Sequence, residues 1–151
     1  MAARLMKDEL FGAQLLRAIG YAPYGGADVG ECLAAAGRIG SSDLTAWHDA
    51  WMSLATRVAG EAEASAAAGQ AASARSGFFR ASNYFRNVWL FTLEMPGDPR
   101  LTQAHRQEVK NFRRGAALLE IPPEIIQIPY GGPPCRRTSS APPPATPRGR
   151  R

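Results

Sequence analysis

Only two imidazoles stand in the chain, His48 and His105, and proton transfer near neutral pH would fall to them first. His48 precedes Asp49 in "WHDAW", but adjacent helix positions do not face each other, so an orienting pair is not expected there. His105 falls among apolar residues, and for both imidazoles a structural or solvent-linked role is favoured. Nucleophilic catalysis would need a serine on a strained turn, and no G-x-S-x-G elbow occurs in the 151 residues. H-E-x-x-H, C-x-x-C and the Walker loop are missing too, so neither a metal nor a cofactor is expected. The glycine-rich "GYAPYGGADVG" lacks the G-x-G-x-x-G order and follows no strand, which makes it a plain connecting loop. Cys32 and Cys135 lie far apart with no partner spacing and read as two free thiols.

What the sequence concentrates instead is aromatic surface. Trp47, Trp51, Phe78, Phe79, Tyr84, Phe85, Trp89 and Phe91 recur at helical spacing, and rings so placed pack helix on helix. Part of the set can also line a pocket for an aromatic or acyl substrate, and the residues alone leave both roles open. In "SARSGFFRASNYFR", Phe78, Ser82, Phe85 and Trp89 share one helical face while Arg75, Arg80 and Arg86 reach outward or sideways. That describes a buried helix with a cationic flank.

The elements that must position these residues are mostly helices. Leu5, Leu10, Leu15, Leu16 and Ile19 suggest a helix over 3–19 ending at Gly20, and "ECLAAAGRI" a short one closed by Gly40. Ser41, Ser42 and Asp43 offer N-caps for a helix carrying Leu44, Trp47, Trp51, Leu54 and Val58 on one face and ending near Gly69. A second long helix runs from about 71 to 93 and stops at "MPGDP". Asp98 and Pro99 start a third, whose apolar stripe is Leu101, His105, Val109, Phe112, Ala116 and Leu119. In "EIIQIPY" the period changes to two, which reads as a strand, and one strand cannot satisfy its own backbone. The expected fold is mainly α: antiparallel helical hairpins over residues 1–123, one β-segment over 124–132, and a disordered tail over 133–151.

The formal net charge of +5 sits in that tail. Arg136, Arg137, Arg148, Arg150 and Arg151 occur there without an acid, so the body is neutral. A solvated tail is favoured over phosphate binding, and no nucleic-acid partner is expected. The tail's six prolines and lack of large apolar residues predict disorder. Lys7, Asp8 and Glu9 interrupt the first apolar positions, so no signal peptide is expected, and no apolar run is long enough to span a membrane. A cytoplasmic location follows from these absences and the free thiols.

Taken in order, "WHDAW", an Ala-rich helix, "AGQAASARSGFFRASNYFRNVWLF", "DPRL" and "IQIPYGG" resemble the N-terminal helical region of 2,6-dihydroxypseudooxynicotine hydrolase-like α/β-hydrolases, a family of esterase-like and carbon–carbon bond hydrolases. The resemblance covers roughly Ile39 to Gly132 and is most specific in "RASNYFR" and "DPRL". It implies a helical cap over the active site of a catalytic domain, with a small-molecule substrate between them. It implies no catalytic residue here, because the family's nucleophile, oxyanion hole, acid and histidine follow the proline-tyrosine strand. Within that resemblance Trp51 and Tyr84 are expected to face substrate. A face made to meet a catalytic sheet would leave the chain prone to self-association. A tetratricopeptide-like binding module is the alternative, although no second copy of the motif is present.

After "IPYGG" the Arg/Pro/Ser/Ala composition is that of GC-rich DNA read out of frame, and an interrupted hydrolase gene is the expectation. Translation of the downstream DNA in the other two frames should show a G-x-S-x-G elbow; its absence from both would refute the interruption.

Overall fold

The computed structural model describes residues 6–40, 43–92, 98–130 and 132–139, the strand residues from 127 onward by their backbone. Ser41 and Ser42 as caps, the "MPG" stop, Leu93 and tail residues 140–151 lie outside the described residues. Two compact units divide between Leu118 and Leu119.

The first unit holds α1 (Glu9–Ile19), α2 (Val29–Ala36), α3 (Leu44–Ala67), α4 (Ala71–Trp89) and α5 (Pro99–Ala117), with 3₁₀ turns at Ala22–Tyr24 and Leu90–Thr92. Side-chain caps set the starts. Asp8 takes the Phe11 amide at 3.0 Å, so α1 begins at Glu9; residues 3–5 of the expected helix, Leu5 among them, lie outside the described residues. Asp28 takes the Glu31 amide at 2.9 Å, and Asp43 those of Thr45 and Ala46 at 2.9 and 3.0 Å. Asp98 accepts from the Arg100 amide at 2.8 Å, with Pro99 at the first helical position as expected. At the other ends, α2 closes at Gly37 rather than Gly40, because the amides of Gly37, Arg38 and Ile39 tighten back onto Leu33, Ala35 and Ala36. Gly69, at φ 73°, supplies the left-handed residue that ends α3. The α4 helix stops at Trp89 and tightens into the second 3₁₀ turn, short of residue 93.

Contacts run in opposite chain directions between α3 and α4 and again between α4 and α5. Ala62 meets Gly77 while Trp47 meets Asn87, and Phe78 meets Arg114 while Ser82 meets Glu108. These are the antiparallel hairpins expected. An amphipathic helix normally buries one stripe. Here α4 buries ten of its residues, among them Ala74, Phe78, Ala81, Tyr84, Phe85 and Val88, because α3 and α5 flank it and α1 lies against it too. Small residues make the α3 side possible: a Cβ on Gly77 would stand 2.7 Å from that of Ala62.

The α5 helix differs from expectation by a rotation. Its buried residues are Ala104, Asn111, Gly115 and Ala116, while Phe112 and Leu119 are exposed and Leu101 and Val109 only partly covered. Bulk on this seam comes from α4: the Phe79 ring lies against Gly115, where an added Cβ would meet ring carbons at 3.0–3.3 Å. With the volume filled from the neighbour, the small residues turn inward and the larger stripe turns out.

The second unit corrects the lone strand. β1 (Glu124–Tyr130) pairs antiparallel with β2 (Gly132–Ser139), Glu124 opposite Ser139 and Ile128 opposite Cys135, with an irregularity before Tyr130. Residues 133–139, expected in the disordered tail, supply the hydrogen-bonding partner the strand lacked.

Two glycine substitutions test the packing in opposite directions. Gly77→Ala should cost about 1–3 kcal/mol in urea denaturation by wedging α3 from α4. Gly60→Ala, in an exposed helical position with open space around it, should add about 0.5–1 kcal/mol.

Candidate functional site

Trp51 and Tyr84, expected to face substrate, are fully buried. They belong to a run of rings through the core: Phe91 to Phe11 at 5.1 Å between centroids, Phe11 to Trp47 at 4.8 Å, Trp47 to Trp51 at 5.6 Å, and Trp51 to Tyr84 at 5.7 Å. The Tyr84 hydroxyl accepts from the Asp28 amide at 2.8 Å and donates to Glu31 Oε2 at 2.8 Å. Glu31 Oε1 accepts from Arg80 Nη1 at 2.9 Å. One phenol thus fastens the start of α2 to α4. Burial first, then the neighbouring acidic groups, raise the Tyr84 phenol above its ordinary range. The buried Cys32 thiol beside it is pushed up to about 11, again mainly by burial.

The histidines divide. His48 Nδ1 lies 2.9 Å from Asp49 Oδ1, so the adjacent pair does meet: the exposed aspartate folds back across the helix surface to the largely buried ring. His48 borders a hollow of only about 90 Å³. His105, expected on the apolar stripe, is exposed, with its ring edge-on to Trp89 at 5.8 Å and Nδ1 3.2 Å from Glu108 Oε2.

A larger concavity lies elsewhere in the helical unit. A cleft of about 400 Å³ is walled by Phe79, Ser82, Asn83 and Arg86 from α4, Glu108 and Phe112 from α5, and Tyr21, Tyr24 and Gly26 from the connection after α1. The α4 residues recur at three and four and so form one face. Ser82 Oγ donates to the Glu108 carbonyl at 3.0 Å, and Asn83 Nδ2 donates to the carbonyls of Ala18 and Gly26 at 3.1 and 2.9 Å. Those bonds fix the floor and hold the connection against α4. Gly26 packs tightly there: a Cβ would stand 3.1 Å from that of Tyr21. Tyr24 is 84% exposed at the rim, and the Phe79 and Phe112 rings meet at 5.7 Å. Sequence reasoning missed this cleft. Its α4 signal was present in "SGFFRASNYFR", but Tyr21 and Tyr24 lay in the segment taken as a plain loop.

Among the described residues no cluster of His, Cys, Asp and Glu could hold a metal ion, and no helix is long and apolar enough to cross a membrane. What the helices build is an aromatic, concave surface.

The comparisons with known proteins give the kinship of the chain. The chain is 35% identical over 127 residues to 20-hydroxy-prefusarin hydrolase FUS2 of Gibberella moniliformis, covering 84% of the chain and 30% of that protein. It is 36% identical over 123 residues to hydrolase acrC of Aspergillus aculeatus (81% and 29%) and 37% over 122 residues to α/β-hydrolase gkaG of Penicillium citrinum (80% and 28%). No family model matches. The chain is an α/β-hydrolase family segment, and it spans about three-tenths of the length of the curated relatives it matches.

Replacing Tyr84 by Phe leaves the Asp28 amide without its acceptor and should cost about 1–3 kcal/mol in denaturant unfolding while preserving helical content. The Cys32 thiol has a second readout. Its folded pKa of about 11 lies above the thiol's ordinary 9.0, so the neutral thiol's contribution is complete below about pH 9 and is lost as pH rises toward 11. The melting temperature should fall across that window, and Cys32→Ala should flatten the fall.

Proposed function

We propose that the helical unit is the substrate-covering cap segment of an α/β-hydrolase acting on ester or carbon–carbon bonds of small organic substrates. Its part is to supply shape and aromatic contact, while nucleophile, oxyanion hole and acid–base groups come from a catalytic domain. The match to hydrolases over four-fifths of the chain carries this reading. The α4–α5 cleft, rather than Trp51 and Tyr84, is the surface open to a substrate; those two hold the cleft's supporting helices together.

Two measurements test the reading. The 151-residue chain should release no p-nitrophenol from p-nitrophenyl acetate above the buffer rate. A chimera of α/β-hydrolase gkaG carrying residues 6–118 of this chain in place of its matching segment should keep kcat within about tenfold while KM shifts, as expected for a part that binds rather than reacts. Turnover by the isolated chain, or a folded chimera without activity, would overturn the proposal.

A further inference from the structure

The cleft between α4 and α5 has a chemical polarity that a mere covering surface would not need. Arg86 is the only Lys or Arg among the residues described as lining it. Arg57, Arg80, Arg100 and Arg114 each pair with a carboxylate: Glu61, Glu31, Asp98 and Glu63. No carboxylate among the described residues lies within ion-pair distance of Arg86. The one acid in the cleft wall, Glu108, is occupied otherwise, its Oε2 accepting from Trp89 Nε1 at 2.6 Å and lying 3.2 Å from His105 Nδ1.

A second group in the wall is also short of a partner. Both hydrogen bonds of Asn83 Nδ2 go to backbone carbonyls, which can only accept, so the amide's orientation is determined. Its Oδ1 is then left buried with no donor, in a residue 93% enclosed. A buried acceptor without a donor is costly, and only a hydrogen-bond donor such as an ordered water relieves that cost; the oxygens of an anion, which only accept, are left to Arg86. The remaining wall is flat and apolar: Tyr21, Tyr24, Phe79 and Phe112.

We propose that this cleft binds a small organic anion, a planar aromatic or conjugated body bearing a carboxylate or enolate, with the charge on Arg86 and the body against the rings. A guanidinium forms charge-assisted, often paired hydrogen bonds with such a group, and shelter among rings strengthens them relative to bulk water. The charge argues for an anion over an apolar polypeptide face, which would strand the Arg86 cation. The inference rests on the reading of this cleft as the substrate-facing surface and names the ligand's chemistry; its test is binding by this chain and not turnover, so the two can fail separately.

The probes are 2-naphthoate and its uncharged analogue 2-naphthamide, titrated calorimetrically into the full chain. Naphthoate should bind one per chain and at least about tenfold more tightly than the amide, the scale of one charge-assisted contact. Arg86→Met should bring naphthoate down to the level of the amide, Arg86→Lys should restore part of the difference, and neither should move the melting temperature. Added salt should weaken naphthoate and spare the amide in the unmodified chain, a readout that needs no variant. Equal affinities for the two probes, binding of neither, a preference that survives Arg86→Met, or one probe per two chains would each overturn the proposal; the last would assign the cleft to a second copy.

Discussion

A helix enclosed on both flanks cannot leave its polar groups to water, and α4 is such a helix. Most of its buried polar residues find a partner in a neighbouring element, and those partners define the helical unit. Ser82 bonds α5, Asn83 bonds the end of α1 and the connection after it, and Tyr84 with Arg80 bonds α2. Asn87 bonds back to its own helix and receives the Trp47 indole from α3 at its carbonyl, 2.8 Å away. Apolar burial supplies most of the driving force, but it is non-directional. The directional bonds of α4 select one arrangement from the many that would bury the same rings.

That arrangement separates two kinds of aromatic residue. Trp47, Trp51, Tyr84 and Phe11 have no access to solvent to speak of and act as mass in the core. Tyr21, Tyr24, Phe79 and Phe112 lie on the other side of α4, where the floor is polar and the rim open. The division follows from α4's own angular order: positions 81, 84, 85 and 88 pack in the main core, while 79, 82, 83 and 86 line the cleft.

The parts legible in the sequence were those decided locally. Asp43, Gly69 and the Asp98–Pro99 pair marked helix ends through bonds reaching only a few residues, and all three ends formed as expected. The Trp47–Trp51 face was legible because indoles at that spacing have no comfortable exposed alternative. The outward face of α5 was not, because it depends on Phe79 filling the space beside Gly115, a fact belonging to another helix. The place of Tyr84 was not legible for a similar reason: its hydroxyl meets the Asp28 amide 56 positions away, which no local pattern announces. The hairpin's second strand escaped notice because its composition argues against order, while the unpaired backbone beside it argues for a partner.

The turn at Ala68, Gly69 and Gln70 has a kinetic meaning. It joins α3, the longest helix, to α4 within three residues, so the most extensive seam of the unit closes a very short loop and loses little chain entropy in doing so. The ties from Glu31 and Asp28 to α4 close loops of some fifty residues and belong late in assembly. Topology of this sort favours rapid collapse of a helical nucleus, with the α2 segment docking afterwards onto a template already in place.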